Sequence, residues 1–428
     1  MIAPVVALRR DPLGFLGRLA EAQGDVATFR LGRQKVVLVG DPTLIRDVLV
    51  TNNRKFVKEN GLAMHRFRKP KPSPRPGLIS SHDMDEHVRG RRIVQPAFAA
   101  NAVAVTGPSV VRAATRIAER WVDGDRVDVD REMSTLSVQA LAAGPFASEH
   151  VSFDGLHEEL ARFLDGFSFA TSASFSTIER LRVLRGLRFM RTLARVDEKV
   201  GELLAPEGGQ VHEGHDVPAL LNRAESLGPE ERRWEAFIIL LAGAETTAAA
   251  LTWAWWLLAE HPDAEARLHA EADEADAGGR LEAGDTNAVP FAARVFAEAI
   301  RLYPPSWFIG RRALEEHRLG EHTVSVDEVV LICPYLVHRD PRHFADPDTF
   351  FPDRWLDLPS FAATTYLPFG AGPRQCLGER FARLEGPLAL ATIARRRRLR
   401  PISGEPVVVE AAASLRPKGG LTMRVESR

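Results

Sequence analysis

Apolar residues recur at helical spacing over most of this 428-residue chain, and strict alternation is confined to short runs towards its two ends. Residues 11–22 carry a helical pattern that stops at Gly24-Asp25. Residues 26–39 alternate in two β-branched runs split by Leu31-Gly32-Arg33, which predicts a hairpin. Asp41-Pro42 opens a helix reaching Val50, with proline at the first helical position. Helical patterns fill 84–147 and 156–204, with a polar loop at 207–216 (EGGQVHEGHD), and resume over 217–224, 229–260, 262–277 and 290–302. After Pro304-Pro305 the pattern shortens to strands near 318–319, 322–326 and 329–332. The last helix is expected from Cys376 to about residue 396, followed by a β-rich tail that turns at Gly419-Gly420. The predicted fold class is mainly α with a small β-rich portion supplied by both ends. With no Ser/Gly-rich linker and no internal repeat, one domain over residues 1–428 is the expected organisation.

Two segments depart from the ordinary amphipathic pattern. Residues 61–82 are irregular, and their KPKPSPRPG run resists both helix and strand, so an exposed stiff loop is expected. Residues 236–259 (AFIILLAGAETTAAALTWAWWLLA) are long enough to cross a bilayer and carry one charge, Glu245. A helix that is apolar all round is a membrane span or the axis of a large core. A carboxylate at mid-bilayer is costly and no second span accompanies it, so the buried-core reading is preferred. That reading makes Glu245 a candidate functional group.

The formal net charge of -1 leaves no footprint for nucleic acid, and the 45% hydrophobic content can fill a sizeable core. The two cysteines, Cys333 and Cys376, make neither a disulfide framework nor a zinc site. The apolar start at residues 1–8 is too short for a span and no cleavage site follows it, so a cytoplasmic protein without a membrane anchor is expected.

Chemistry concentrates in four places. Cys376 lies between a glycine-rich turn and a helix start, where backbone N–H groups and the macrodipole favour its thiolate. A single thiolate without companion cysteines suits haem iron better than zinc or an iron–sulfur cluster. Glu298 and Arg301, three apart on an apolar helix, read as a buried pair that needs further partners, and Arg354 is the candidate third member. In Ala242-Gly243-Ala244-Glu245-Thr246-Thr247, a glycine followed by threonine is read as either a local opening of the helical ladder or an ordinary helix. An acid beside an alcohol in such an opening can relay protons. The arginines of 87–98 (HVRGRRIVQPAF) form a solvated face unless one turns inward onto a carboxylate.

Together these segments resemble the cytochrome P-450 family, in the family's order and over nearly the whole chain. Residues 369–378 match the haem signature FxxGxRxCxG, 242–247 match the oxygen-activation signature, 298–301 match ExxR, and 352–354 match the ProxArg motif. The resemblance implies haem b with an axial thiolate from Cys376. It implies propionate contacts from Arg374, Arg91 and Arg311, Phe369 beside the sulfur, and Gly370, Gly372 and Gly378 where backbone meets porphyrin. Glu298, Arg301 and Arg354 would form a structural network, and Glu245 with Thr246 would deliver protons during O2 activation. One departure is His87, where the family usually has Trp; an imidazole N–H is expected to take over the propionate contact.

The implied function is a haem-thiolate monooxygenase oxidising a hydrophobic small molecule of terpenoid, fatty or polyketide-like class. The alternatives are an H2O2-driven peroxygenase, disfavoured by the retained Glu245-Thr246, and a haem-binding or sensing protein without turnover. With no reductase fused, two electrons are expected from a ferredoxin or flavodoxin docking near Cys376. Arg395–Arg398 and Arg400 read equally as part of a docking face and as a solvated helix end. Expected pocket contributors are the 61–82 loop, Phe167, Phe169, Phe175, Ile238, Ala242, Trp307, Phe308 and Leu415, with Trp307 and Phe308 reading equally as core.

Overall fold

The structure, a computed structural model, describes residues 3–59, 77, 81–147, 194–204, 214–356, 364–402 and 406–428. Most of the 61–82 loop, the helical pattern at 156–193, the polar stretch at 207–213 and Phe167, Phe169 and Phe175 lie outside the described residues.

Helices supply the bulk of the described chain. Residues Pro229–Glu260 form one continuous α-helix, followed by Pro262–Ala277 and Pro290–Leu302. Each begins with proline, whose fixed φ and missing N–H suit the first turn. Aspartates cap several others: Asp41, Asp83, Asp128 and Asp216 each accept a backbone N–H three residues on. The helix Pro290–Leu302 has no cap of its own, and Glu271 of the preceding helix accepts from the N–H groups of Phe291 and Ala292 instead. The helix after the cysteine spans Glu379–Ala394, so Cys376 lies just ahead of it in a turn rather than in its first residue.

The strands are β1 (Val26–Leu31), β2 (Gln34–Val39), β3 (Phe56–Glu59), β4 (Arg126–Asp128), β5 (Ile309–Ala313), β6 (His317–Leu319), β7 (His322–Val324), β8 (Val329–Ile332), β9 (Arg397–Pro401), β10 (Val409–Ala411), β11 (Leu415–Pro417) and β12 (Thr422–Ser427). Five of them form the main sheet in the order β1-β2-β8-β5-β3. The hairpin at 26–39 forms with Val26 opposite Val39, and β2 continues into β8 as a parallel pair with Val36 opposite Val329. β3 lies antiparallel to β5, which sets Lys58 directly opposite Arg311. Near the C-terminus β12 pairs with β4 and β9, while β10 and β11 make a separate hairpin. Strand β4 interrupts the stretch at 84–147 that the pattern read as helical.

The long helix Pro229–Glu260 is the axis of the largest apolar cluster, packed against Val129–Ala143, Pro290–Leu302 and Glu379–Ala394. Among the described helices it alone is long and apolar enough to cross a membrane, and 67% of that window is buried in protein. Gly243 explains how it packs. A Cβ there would stand 2.8 Å from Leu141 Cδ1, so the glycine serves close approach of two helices. The ladder stays α-helical through 242–247, and the local opening considered from the sequence does not occur.

Candidate functional site

The cysteine loop is built on backbone constraints. Gly370 and Gly372 adopt φ of 68° and 72°, and a Cβ at Gly372 would fall 2.0 Å from the Leu49 carbonyl oxygen. A side chain at 372 would collide with the turn Asp47–Thr51, so the loop can rest there only as glycine. The Cys376 N–H closes the loop on the Phe369 carbonyl at 2.8 Å, and Arg383 stacks its guanidinium 4.9 Å from the centroid of the half-buried Phe369 ring. The helix Met84–Val94 grips the other side. Arg91 donates to the Gln375 carbonyl, and His87 Nε2 lies 3.2 Å from the Pro373 carbonyl oxygen.

Cys376 keeps exposed surface, yet the protein around it is dense enough for burial to push its thiol up to about 11. The N–H of Gly378, the next largest influence, pulls it down, and Arg91 does the same more weakly. The donors are in place, but desolvation outweighs them, and a metal cation at sulfur is what would reverse the balance.

Beside this loop three cations converge. Burial lowers the basicity of Arg374, with Asp83 opposing. Arg311, almost fully buried, is lowered to about 10 by burial and then by Arg374. Lys58, which sequence reasoning passed over, is lowered to about 7 by burial, then by Arg311 and Arg374. Arg374 donates one Nη to the carbonyls of His82 and Asp83, at 3.2 and 3.4 Å, but its Nε and other Nη are buried with no hydrogen-bond partner. Arg311 donates to the neighbouring Gly310 carbonyl. Like charges facing across a strand pair are unfavourable, and buried donors without acceptors are costly. The cluster therefore fits a dianionic group, which the two propionates of haem are.

On the central helix, Thr246 is exposed although residues 247–250 beside it are buried. Its hydroxyl donates to the Ala242 carbonyl at 2.7 Å, an ordinary back-bond within an unbroken helix. Glu245 is half-buried, and its carboxylate accepts from Ser414 Oγ at 2.5 Å. Ser414 had no sequence signal, because it lies 169 residues away in the chain. Ile238 and Ala242 are partly exposed on the same helix.

Glu298 and Arg301 are both fully buried. Arg301 forks onto the Glu298 carboxylate with bonds of 2.9 and 2.8 Å. Glu298 also accepts from Arg354 Nε, Trp355 Nε1 and the Phe351 N–H, at 3.0, 3.0 and 3.1 Å. The rest of the Arg301 fork is satisfied by the carbonyls of His338, Pro347 and Thr349. His338 joins this network to the cysteine loop. Its Nε2 accepts the Leu367 N–H at 2.7 Å, so its Nδ1 carries the proton and donates to the Arg301 carbonyl at 3.0 Å. Burial holds this imidazole neutral, lowered to about 3.

Side-chain placement bears on the pocket and docking readings. Leu415 keeps no accessible surface and Trp307 keeps 5%, both within a core cluster under the main sheet. The Trp307 indole donates to the Ala412 carbonyl at 2.9 Å, and Phe308, partly buried, packs edge-on against it. A side chain lining an open cleft would retain surface, so Trp307 and Leu415 are core rather than pocket wall. Three of the arginines at 395–400 are also held in ion pairs. Arg395 pairs with Asp276, Arg396 with Glu119 at 2.9 Å, and Arg400 with Glu265 at 2.7 Å.

The chain can now be set beside known proteins. The family model described as cytochrome P-450 matches residues 217–422. Cyclooctatin synthase of Streptomyces melanosporofaciens is 36% identical, over 98% of this chain and 92% of its own. Cyclooctat-9-en-7-ol 5-monooxygenase of the same organism is 33% identical, over 94% of this chain and 88% of its own. Among solved structures, a six-coordinated cytochrome P-450 from Thermus thermophilus superposes with a TM-score of 0.75 at 27% identity, covering 97% of this chain and 98% of that one. A glycine-built cysteine loop, a cation cradle lacking its anion and full-length agreement with these proteins lead to one assignment: the chain belongs to the cytochrome P-450 family, and is a monooxygenase carrying haem on a cysteine thiolate.

Proposed function

We propose that Cys376 is the axial ligand and that the enzyme inserts one atom of O2 into a terpenoid-like hydrophobic molecule. The balance is RH + O2 + 2 electrons + 2 protons giving ROH and H2O. The observation carrying this reading is the pairing of Cys376 with the Lys58–Arg311–Arg374 cradle. Cys333, the other cysteine, is buried in the core with its thiol pushed up by burial to about 12, and no such cradle adjoins it among the described residues. When bound, haem supplies the redox centre at which O2 is activated, and a thiolate ligand donates electron density that favours O–O cleavage.

The protein's own groups then divide the work. Arg374 and Arg311, with Arg91 on the facing helix, would hold the propionate edge through charge-assisted bonds, while His87 rests on the Pro373 carbonyl. Phe369 and the N–H of Gly378 shield the sulfur and tune it. Glu298, Arg301 and Arg354 hold the fold behind the site. Thr246 and Glu245 carry the two protons inward, the alcohol as the near donor and the acid as its source. The substrate class rests on the relatives, one of which is named for hydroxylating an unsaturated alicyclic alcohol, and on the apolar face of the central helix at Ile238 and Ala242.

Electrons come from a separate ferredoxin or flavodoxin, in the cytoplasm. Arg395, Arg396 and Arg400, already held in ion pairs, offer it little. Arg89, Arg92 and Arg380 are exposed on the two helices that flank the cysteine loop and make the better basic face for an acidic partner.

The test begins with the reduced carbon monoxide complex, whose strongly red-shifted Soret band reports thiolate ligation and should vanish in Cys376→Ser. Turnover under 18O2 with electron donors and cyclic terpenoid alcohols should then give product carrying one labelled atom. Product labelled from water instead, or a Cys376→Ser protein that keeps the red-shifted band, would overturn the assignment.

A further inference from the structure

Resting on the acid role proposed for Glu245, the geometry points to a further positioning residue: we propose that Ser414 fixes the direction of the Glu245 carboxylate for proton delivery. Ser414 is 2% exposed, and its hydroxyl donates to Glu245 Oε1 at 2.5 Å. Among the described residues no arginine, lysine or histidine bonds Glu245, so this one neutral donor orients the group. A hydroxyl bonded to a carboxylate is a charge-assisted, short-range contact that fixes direction well.

The donor is itself immobilised. The turn between β10 and β11 is fastened at three points. The Leu415 N–H donates to the Pro305 carbonyl at 3.0 Å, Trp253 Nε1 to the Leu415 carbonyl at 2.9 Å, and Trp307 Nε1 to the Ala412 carbonyl at 2.9 Å. Trp253 lies two turns beyond Glu245 on the same helix and is stacked on Tyr303 with centroids 3.9 Å apart. The helix that carries the acid thus holds the turn that presents the hydroxyl. Their mutual geometry is set by buried aromatic anchors rather than by loop conformation.

This arrangement matters because adjacent helical residues point about 100° apart, and sequence adjacency does not bring Glu245 to Thr246. The Thr246 proton is meanwhile engaged by the Ala242 carbonyl. A relay that uses both residues depends on where the carboxylate aims. Ser414 anchors Oε1 and leaves Oε2, which has no hydrogen-bond partner among the described residues, as the oxygen that exchanges protons.

The experiment uses holoenzyme with its electron donors and counts product and H2O2 formed per O2 consumed. Failed proton delivery diverts two electrons and two protons to H2O2. Losing a hydrogen bond to a charged group is worth about ten-fold or more, so Ser414→Ala should lower product per O2 about ten-fold with a matching rise in H2O2. Ser414→Thr keeps the hydroxyl and should restore coupling. Ser414→Cys keeps the volume without a strong donor and should behave like Ala if Ala fails to fold. The Glu245→Gln, Ser414→Ala double variant should be no worse than Glu245→Gln alone. A second readout is independent of turnover: the infrared carboxylate band that disappears in Glu245→Gln should shift in Ser414→Ala and stay put in Ser414→Thr.

Wild-type coupling in Ser414→Ala alongside an impaired Glu245→Gln would sink the inference and leave the acid role standing. Multiplying defects in the double variant would also sink it, since Ser414 would then act elsewhere. Wild-type coupling in Glu245→Gln would remove the acid role, and the inference with it.

Discussion

Two clusters of charge adjoin the cysteine loop, and they are built on opposite terms. Around Glu298 every donor and acceptor of the buried pair is matched: the carboxylate receives Arg301, Arg354, Trp355 and a backbone N–H, and the Arg301 fork finds three carbonyls. Around Arg374 cations predominate, with Asp83 opposing them. Lys58 faces Arg311 across a strand pair, and two guanidinium nitrogens of Arg374 have no partner. The first cluster is complete in the protein alone and holds the fold. The second leaves two buried guanidinium nitrogens unmatched, which is the feature that supports the proposed anion site. Hydrogen-bond satisfaction, rather than charge alone, is what distinguishes Arg301 from Arg374.

Substitutions should bring out that contrast, most strongly at Glu298. Glu298→Ala strands Arg301 and Arg354 as buried cations, and a loss of about 3–5 kcal/mol is expected, measured by urea unfolding of the apoprotein. Arg374→Ala should act with the opposite sign on the apoprotein, leaving it as stable or more so because a poorly satisfied buried cation is removed. The same change should weaken haem binding about ten-fold or more, since charge-assisted bonds are worth about 1.5–3 kcal/mol, as read by haem titration of the apoprotein.

A pH series sharpens the comparison further. Lys58 is lowered in the folded state from 10.5 to about 7. Below pH 7 both folded and unfolded states hold the proton, and the cost of the buried charge stands in full. As pH rises past 7 the folded lysine releases its proton while the unfolded one keeps it, so stability climbs until about pH 10. Apoprotein melting should show this climb, and Lys58→Met should flatten it.

Glu385 offers the mirror case. It is fully buried in the helix after the cysteine, and burial raises it from 4.5 to about 8, with Ser137 opposing. The folded state binds the extra proton between those values, so stability should fall as pH rises from 4.5 to 8. Glu385→Gln should remove that decline in the same melting series.

The smallest effect concerns surface charge. Arg92→Glu should slow reduction by an acidic ferredoxin several-fold at low salt, with the difference fading as salt rises. Arg395→Glu, whose native partner is Asp276, should leave that rate unchanged in stopped-flow measurements and disturb only a local ion pair.

Much of the fold and several elements of the site were legible in the chain. The helices at 229–260, 262–277 and 290–302 end where the pattern ends, because proline starts and apolar periodicity are local signals. Arg354 meets Glu298 as the motif spacing implied, at 3.0 Å. Other features depended on distant partners. Gly243 looked like a weak point in its helix, and it is Leu141 of a different helix that requires it. Leu415 looked like a pocket wall and is core, and Trp307, which read equally as either, is core too, since apolar character does not say which apolar surface a side chain meets. Lys58 drew no notice because its neighbours in sequence carry no motif, and only strand register sets it opposite Arg311.

By itself the sequence determined the helical framework, the glycine-built loop that presents Cys376, and the acid–alcohol pair on a buried helix. Each of these follows from spacing, backbone freedom or local periodicity within about a dozen residues. Tertiary structure decided the rest: which cations share an anion, that burial overrides the favourable donors at the Cys376 thiol, and that a serine near the far end of the chain holds Glu245. Those outcomes depend on desolvation and on contacts between residues remote in sequence, and neither quantity is written in local pattern.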